Sequence, residues 1–239
     1  MKIKYLLLLA IPALTLAAAC KKTETIEAPA QANNRILSFK VTNVPDEAVY
    51  GAVNDEQGTI TVILPYYYYL TTIQPEIAVP EGATVSPASG VLIDSITKKM
   101  TEGTKIEYVV TAKDGSKATY KLLLTTQQPA ITLDELSTDP ANPTVLYHSK
   151  PATFEFNFFE VTGKNFIPQQ ELLGIFSTIS YLNEQGNVVY TAVNGDNYTY
   201  RIGTAVPSAE QLPAGLYRIR VTSYTRSATM KNPVKVQSL

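Results

Sequence analysis

From Ile36 onward, apolar residues recur at every second position. Ile60, Val62 and Leu64 alternate with Thr61 and Ile63. Ile106, Tyr108 and Val110 alternate with Glu107 and Val109, and Tyr120, Leu122 and Leu124 with Lys121 and Leu123. Successive side chains of an extended strand point to opposite faces, so each set can be buried together. The residues are mostly β-branched or aromatic, which suits a pleated, half-buried surface. Between the runs lie Asn54-Asp55-Glu56-Gln57-Gly58 and Lys113-Asp114-Gly115-Ser116, residues that tolerate positive φ and close hairpins. No segment shows a helical period with caps. The pattern predicts an all-β fold made of β-sandwiches.

Gln127-Gln128-Pro129-Ala130 interrupts the alternation, and a second series follows. Phe154, Phe156 and Phe158 fall on one face of an expected strand. Asn183-Glu184-Gln185-Gly186-Asn187 reads as a turn before Val188-Val189-Tyr190. Asn194-Gly195-Asp196-Asn197 reads as a turn before a strand carrying Tyr198, Tyr200 and Ile202. Tyr217, Ile219 and Val221 alternate with Arg218 and Arg220. The expected organisation is two tandem domains, residues 35–127 and 131–239, each near the roughly 100 residues of an immunoglobulin-like sandwich.

The start of the chain has a different character. Met1-Lys2-Ile3-Lys4 is basic, and Tyr5 to Ala19 is an apolar run of signal-peptide length, too short to span a bilayer comfortably. It ends Leu16-Ala17-Ala18-Ala19-Cys20, and Cys20 is the only cysteine. Small residues before a lone cysteine resemble the lipobox of bacterial lipoproteins. The resemblance implies that residues 1–19 are a lipoprotein signal peptide. It also implies that the Cys20 thiol carries diacylglycerol and its freed amine an acyl chain of the palmitate kind. A plain secretory signal with an incidental cysteine is the other reading. One acyl chain holds a protein only marginally at about 0.8 kcal/mol per buried methylene, whereas two or three hold it firmly.

Lys21-Lys22 follow the cysteine where inner-membrane lipoproteins carry Asp. Lys21-Lys22-Thr23-Glu24 resembles the start of lipoproteins displayed on glycan-degrading Gram-negative bacteria. The expected location is therefore the outer membrane, lipid-anchored, at the cell surface. Residues 20–34 comprise the lipidated cysteine and a flexible linker. Thr23 to Asn34 is polar and aperiodic, and extended it would reach roughly 40 Å. No other apolar stretch is long enough to cross a membrane. A formal net charge of −1 offers nothing to nucleic acid. One cysteine permits no internal disulfide, so stability rests on apolar burial and the backbone ladder.

Leu212-Pro213-Ala214-Gly215-Leu216-Tyr217-Arg218-Ile219-Arg220-Val221 resembles the tyrosine corner of immunoglobulin-like sandwiches. Together with Val161-Thr162-Gly163-Lys164-Asn165-Phe166 it is similar to the IPT/TIG family over most of residues 131–239, departing between Leu172 and Gly195. In the first half the matching pieces are Ile36-Leu37-Ser38-Phe39, Gly58-Thr59-Ile60-Thr61-Val62, Val85-Ser86-Pro87 and the hairpin Tyr108 to Ser116. They resemble an immunoglobulin-like module of surface glycan-utilisation lipoproteins. Members of both families are binding or spacer modules, so the resemblance implies no catalytic residue.

The chemistry-bearing residues agree with a non-enzymatic reading. His148 is the only histidine and reads as a solvated loop residue. Neither a hydrolytic triad nor a zinc site can be assembled around it. Asp134, Glu135 and Asp139 could serve as paired carboxylates or as a hydrated linker. Asn194-Gly195-Asp196-Asn197 could offer oxygens to calcium or be a bare hairpin turn. Arg201, Arg218, Arg220 and Arg226 are a basic stripe or a solvated outer face. No cofactor and no metal is expected.

Pro65-Tyr66-Tyr67-Tyr68-Tyr69 is the unusual constellation. If extended, Tyr66, Tyr67, Tyr68 and Tyr69 cannot all enter one core, and two stay at least partly outside. They then offer flat apolar area with hydroxyls, for sugar rings or a protein partner. The alternative is that they continue a strand and cover the sandwich end. The sequence points to an outer-membrane binding module accessory to glycan capture and uptake. Its expected partners are the membrane through the anchor, and a polysaccharide or an outer-membrane transport protein. The other reading is a structural or spacer subunit that binds another envelope protein.

Overall fold

The computed structural model describes residues 33–169, 176–193 and 195–238. Asn33–Leu239 form one compact unit. Cys20, the signal peptide and nearly all of the linker lie outside the described residues, as do Asn194 and part of the segment after Leu172. The described fold is all-β, with sandwich-like sheets and two hydrophobic cores.

The first core is wrapped by β1 (Ser38–Val41), β2 (Val49–Asn54), β3 (Thr59–Leu64), β4 (Pro75–Ala78), β5 (Thr84–Ser86), β6 (Ile106–Thr111) and β7 (Lys117–Thr126). They form one sheet in the order β4-β1-β2-β3-β7-β6-β5. β2 serves both halves: Val49–Gly51 pair with β1, and Ala52–Asn54 pair with β3. At the changeover, a Cβ on Gly51 would meet Phe39, Ile60 and Val62 at 3.0 Å each, so a bare backbone lets the two halves close. The alternation foreseen in β3, β6 and β7 buries Ile60, Val62, Leu64, Tyr108, Val110, Tyr120 and Leu122. The two foreseen turns are present: the Asn54 side chain accepts from Gln57 N at 3.0 Å, and Ala112 N donates to Ser116 O at 2.9 Å.

One short helix, α1 (Ile96–Glu102), was not foreseen. At seven residues it is too short for a period to show. It forms because Ile96 is fully buried in the first core, while Gly103 in the left-handed region closes its end.

The second core lies between two sheets. β8 (Thr132–Leu133), β9 (Val145–Tyr147), β10 (Phe158–Lys164), β11 (Ser177–Leu182), β12 (Val188–Val193), β13 (Asp196–Asn197), β14 (Arg201–Ala205), β15 (Gly215–Ser223), β16 (Arg226–Thr229) and β17 (Val234–Gln237) supply them. One sheet runs β13-β14-β10-β8, the other β12-β11-β15-β17-β9 with β16 beside β15. Tyr217, Ile219 and Val221 point inward as foreseen. The Tyr217 hydroxyl donates to Pro213 O at 2.9 Å, the bond of a tyrosine corner.

Three expectations change here. Phe154, Phe156 and Phe158 do not face the core: Pro151 starts a 3-10 turn, Phe154 sits at φ 56, and β10 begins only at Phe158. Its buried residues are Phe159 and Val161, of the opposite parity. Asp196–Asn197 already pair with β14, so the reversal falls at Tyr198–Tyr200. His148 is not a solvated loop residue. It is 3% exposed, its Nε2 donates to Leu212 O at 2.8 Å, and its Nδ1 meets Ser238 Oγ at 3.0 Å.

Several of the charged residues singled out above are bound into the fold. Glu135 accepts from the backbone N of Lys231 and Asn232 at 2.8 and 3.0 Å. Asp134 accepts from Thr162, and Asp139 from Ala141 N and Asn142. Arg201 on β14 pairs with Glu160 on β10 and Asp196 on β13, and Arg226 donates to Gln128 O and Thr126 O. Arg201 therefore lies in a different sheet from Arg218, Arg220 and Arg226. No helix among the described residues is long and apolar enough to cross a membrane.

The linker between the cores is locked. Gln128 is 2% exposed. Its Nε2 donates to Ser223 O at 2.8 Å, and its Oε1 accepts from Thr225 N at 3.0 Å and Thr225 Oγ1 at 2.9 Å. Thr126 and Thr225 hydroxyls meet at 2.6 Å, and the Tyr224 hydroxyl donates to Leu70 O at 2.8 Å. The β15–β16 turn is thus bonded to the end of β7 and to the loop after the tyrosine run.

Candidate functional site

The tyrosine run lies where these two cores meet. Pro65, at φ −60, presets a turn. Tyr68 N then donates to Pro65 O at 3.2 Å and Tyr69 N to Tyr66 O at 3.1 Å, giving a 3-10 turn over Tyr66–Tyr68. The strand-continuation reading does not hold for these residues. With about three residues per turn, the rings fan out instead of alternating.

Each ring has its own role. Tyr67 is 58% exposed and touches Tyr66 and Tyr68 edge-on at 5.9 and 5.0 Å. The Tyr68 hydroxyl donates to Asp46 Oδ2 at 2.9 Å, and that bond, more than any other cause, raises its pKa above the ordinary phenol value. Tyr69, left-handed at φ 50, stacks on Phe176 at 5.3 Å and meets Tyr224 edge-on at 6.4 Å. Tyr66 is half-buried at the side of a groove.

That groove has a volume of about 530 Å³, within the range of small-ligand sites. It is lined by Tyr66, Tyr69 and Pro129 together with Gly163 to Pro168, Thr199 and Tyr200. The last of these segments are firmly built. Gly163 N donates to Tyr200 O at 2.9 Å and Phe166 N to Thr199 O at 3.1 Å, fastening the Tyr198–Tyr200 reversal to the end of β10. Asn165, left-handed at φ 65, donates from its side chain to Ala130 O at 2.8 Å. A Cβ on Gly163 would collide with Thr132 O and the Phe166 ring, so glycine is needed for this close approach.

Among the described residues, the hydroxyls of Tyr66, Tyr69 and Tyr200 bond no protein group, and Lys164 is the one residue with a charged side chain that lines the groove. Such a lining offers flat apolar rings, hydroxyls and one ammonium, which suits a polar ring compound held by stacking and hydrogen bonds. Among the described residues no three His, Cys, Asp or Glu side chains gather as a metal site.

The sequence singled out Cys20, which lies outside the described residues, and Tyr66, Tyr67, Tyr68 and Tyr69. The structure brings Tyr66 and Tyr69 together in the groove, leaves Tyr67 to solvent and ties Tyr68 to Asp46. Thr199, Tyr200, Lys164 and Asn165 were missed as groove residues. The available signal was Tyr198-Thr199-Tyr200 beside a Gly-Lys-Asn-Phe turn, but the first triplet read as a strand.

Residues 36–123 match the family model described as SGBP, N-terminal. No curated protein sequence matches the chain. Among solved structures, the chain is similar to a structural genomics protein of unknown function from Bacteroides thetaiotaomicron VPI-5482, with 15% identity and a TM-score of 0.33. That match covers 46% of this chain and 22% of the other, so the chain spans about a fifth of that relative's length. A second protein of the same organism, provisionally named a glycoside hydrolase, matches with 13% identity and a TM-score of 0.33, over 86% of this chain and 84% of the other. The titin domains Z1Z2 in complex with telethonin match with 12% identity and a TM-score of 0.24, over 84% and 98%. None of these three similarities is close enough to bear on activity. The first sandwich is the part of this chain that matches a family model, and that model is the N-terminal module of SGBP proteins.

Proposed function

We propose that this protein is a non-enzymatic, surface glycan-binding lipoprotein of the outer membrane, accessory to glycan capture and uptake. The match of residues 36–123 to the SGBP N-terminal model supports the class, since that name stands for surface glycan-binding proteins. Residues 35–127 and 131–239 are its two domains. The Tyr217–Pro213 bond and the Gly163-Lys164-Asn165-Phe166 turn support an IPT/TIG-like second domain. Cys20 carries the acyl chains, and the anchor raises the local concentration of binding sites at the membrane, beside an outer-membrane transport protein. No cofactor takes part.

The observation that carries the reading is the tyrosine-lined groove at the end of the matched module, with Tyr66 and Tyr69 on its wall and Tyr67 exposed beside it. Tyrosine rings stack on sugar faces with little loss of side-chain freedom. Calorimetric titration of the full chain against a panel of polysaccharides tests it. Heat from at least one glycan that disappears in Tyr66→Ala/Tyr67→Ala is expected, and silence across the panel rejects the glycan reading.

One observation favours the second reading, a structural or spacer subunit for another envelope protein. Phe154 and Phe158 are 85% and 72% exposed, and Phe156 and Phe158 lie 6.3 Å apart. Cross-linking in intact cells separates the readings: one dominant protein adduct from a chain without glycan affinity supports the spacer.

A further inference from the structure

We infer that the groove between the tyrosine run and the β10 end takes an acidic glycan, a chain whose sugars carry carboxylate or sulfate groups, with Lys164 reading the acid. This rests on the glycan reading above and narrows its substrate class.

The charge distribution carries the inference. Among the described residues lining the groove, Lys164 is the one basic side chain and none is acidic. Its neighbour in cationic chemistry, Arg201, is held by Glu160 at 2.9 Å and Asp196 at 3.3 Å. Lys40, Lys98, Lys99 and Lys150 likewise have carboxylate partners, whereas Lys105, Lys113, Lys117, Lys121, Lys231 and Lys235 have no ion pair among the described residues but do not line this groove. Lys164 has no such partner among the described residues, so its ammonium is available to an anion from outside the chain. A neutral sugar would leave that charge without a counterpart, whereas an acidic one gains a charge-assisted hydrogen bond.

The rest of the lining fits the remainder of an acidic sugar. Tyr66 and Tyr200 both line the groove and offer rings with unpartnered hydroxyls. Thr199 and Asn165 add polar groups beside them. The main-chain bonds from Gly163 to Tyr200 and from Phe166 to Thr199 fix Lys164 and Tyr200 to one support. The acid and the stacked ring would therefore be read at a set spacing. Lys164 gives no planar, two-pronged donor, so carboxylate and sulfate share the chemistry it recognises.

Calorimetry on the full chain with polygalacturonate, chondroitin sulfate and neutral dextran tests this, each at low and at physiological salt. The two acidic chains should bind at least about tenfold more tightly than dextran, with an advantage that shrinks as salt rises. Comparing them shows whether carboxylate alone suffices or sulfate is needed. Lys164→Gln should erase the preference, and Tyr200→Ala should weaken binding about tenfold, both with an unchanged melting temperature because both side chains are exposed. Dextran bound as tightly as the acidic chains, or a preference that survives Lys164→Gln, would overturn the inference and leave the glycan reading standing. No heat from any of the three or from the wider panel would overturn both.

Discussion

The ring of Tyr69 lies flat against that of Phe176, with centroids 5.3 Å apart and planes 23° from parallel. One residue belongs to the loop after β3 and the other to the approach to β11, so the stack joins the two cores. Tyr67, two positions before, is 58% exposed. Tyr69→Ala should therefore destabilise the protein by about 2 kcal/mol through lost ring packing. Tyr67→Ala should stay within about 0.5 kcal/mol. Urea unfolding of the two variants checks this, and equal midpoints would show that the run acts as one surface feature.

Gln128 gives a sharper test. Its buried side-chain amide holds Ser223 O and Thr225 together, while its backbone carbonyl accepts from Arg226 Nε. Gln128→Ala leaves buried groups unpaired and should cost about 2–3 kcal/mol. The wild-type chain should unfold in one transition because these bonds couple the cores. The variant should show two in calorimetry, and a single unshifted transition would contradict the coupling.

Burial raises the phenols of Tyr108 and Tyr120 to about 12, with the Asp55 hydrogen bond adding to the effect at Tyr120. Burial also pushes up Tyr181 and Tyr224. An unfolded tyrosine ionises near 10, so between about pH 10 and 12 the folded chain holds more protons than the unfolded one. Stability is then complete below pH 10 and falls as pH rises through this window. Melting temperatures from pH 8 to 12 should decline above 10, and Tyr108→Phe should flatten the decline. A level profile to pH 12 would refute the assignment.

The Tyr181 hydroxyl is buried with no partner among the described residues, and its ring lies against Phe159, Tyr190 and Tyr217. Removing an unpaired buried hydroxyl while keeping the ring should be neutral or stabilising, by about 1 kcal/mol. Tyr181→Phe in a urea titration gives the answer, and a loss of stability would reveal a hidden partner.

Much of this fold could be read from alternation alone, because every second residue of β3, β6, β7 and β15 is buried or half-buried. The three hairpin turns at Asn54, Lys113 and Asn183 were legible because their side chains and glycines make local bonds. Parity failed at Phe154, Phe156 and Phe158. Period two says which residues share a face but not which face is inside, and a 3-10 turn at Pro151 places them out. His148 was misread because its partners, Leu212 O and Ser238, are distant in sequence. The groove was half legible: four tyrosines in a row announce themselves, whereas Lys164 and Tyr200 become neighbours only through β10–β14 pairing.

The amide of Gln128 has a mechanical consequence. A swivel between the cores would have to break its bonds to Ser223 and Thr225. Re-aiming the groove relative to the first core therefore means giving up those bonds, not merely bending a loop.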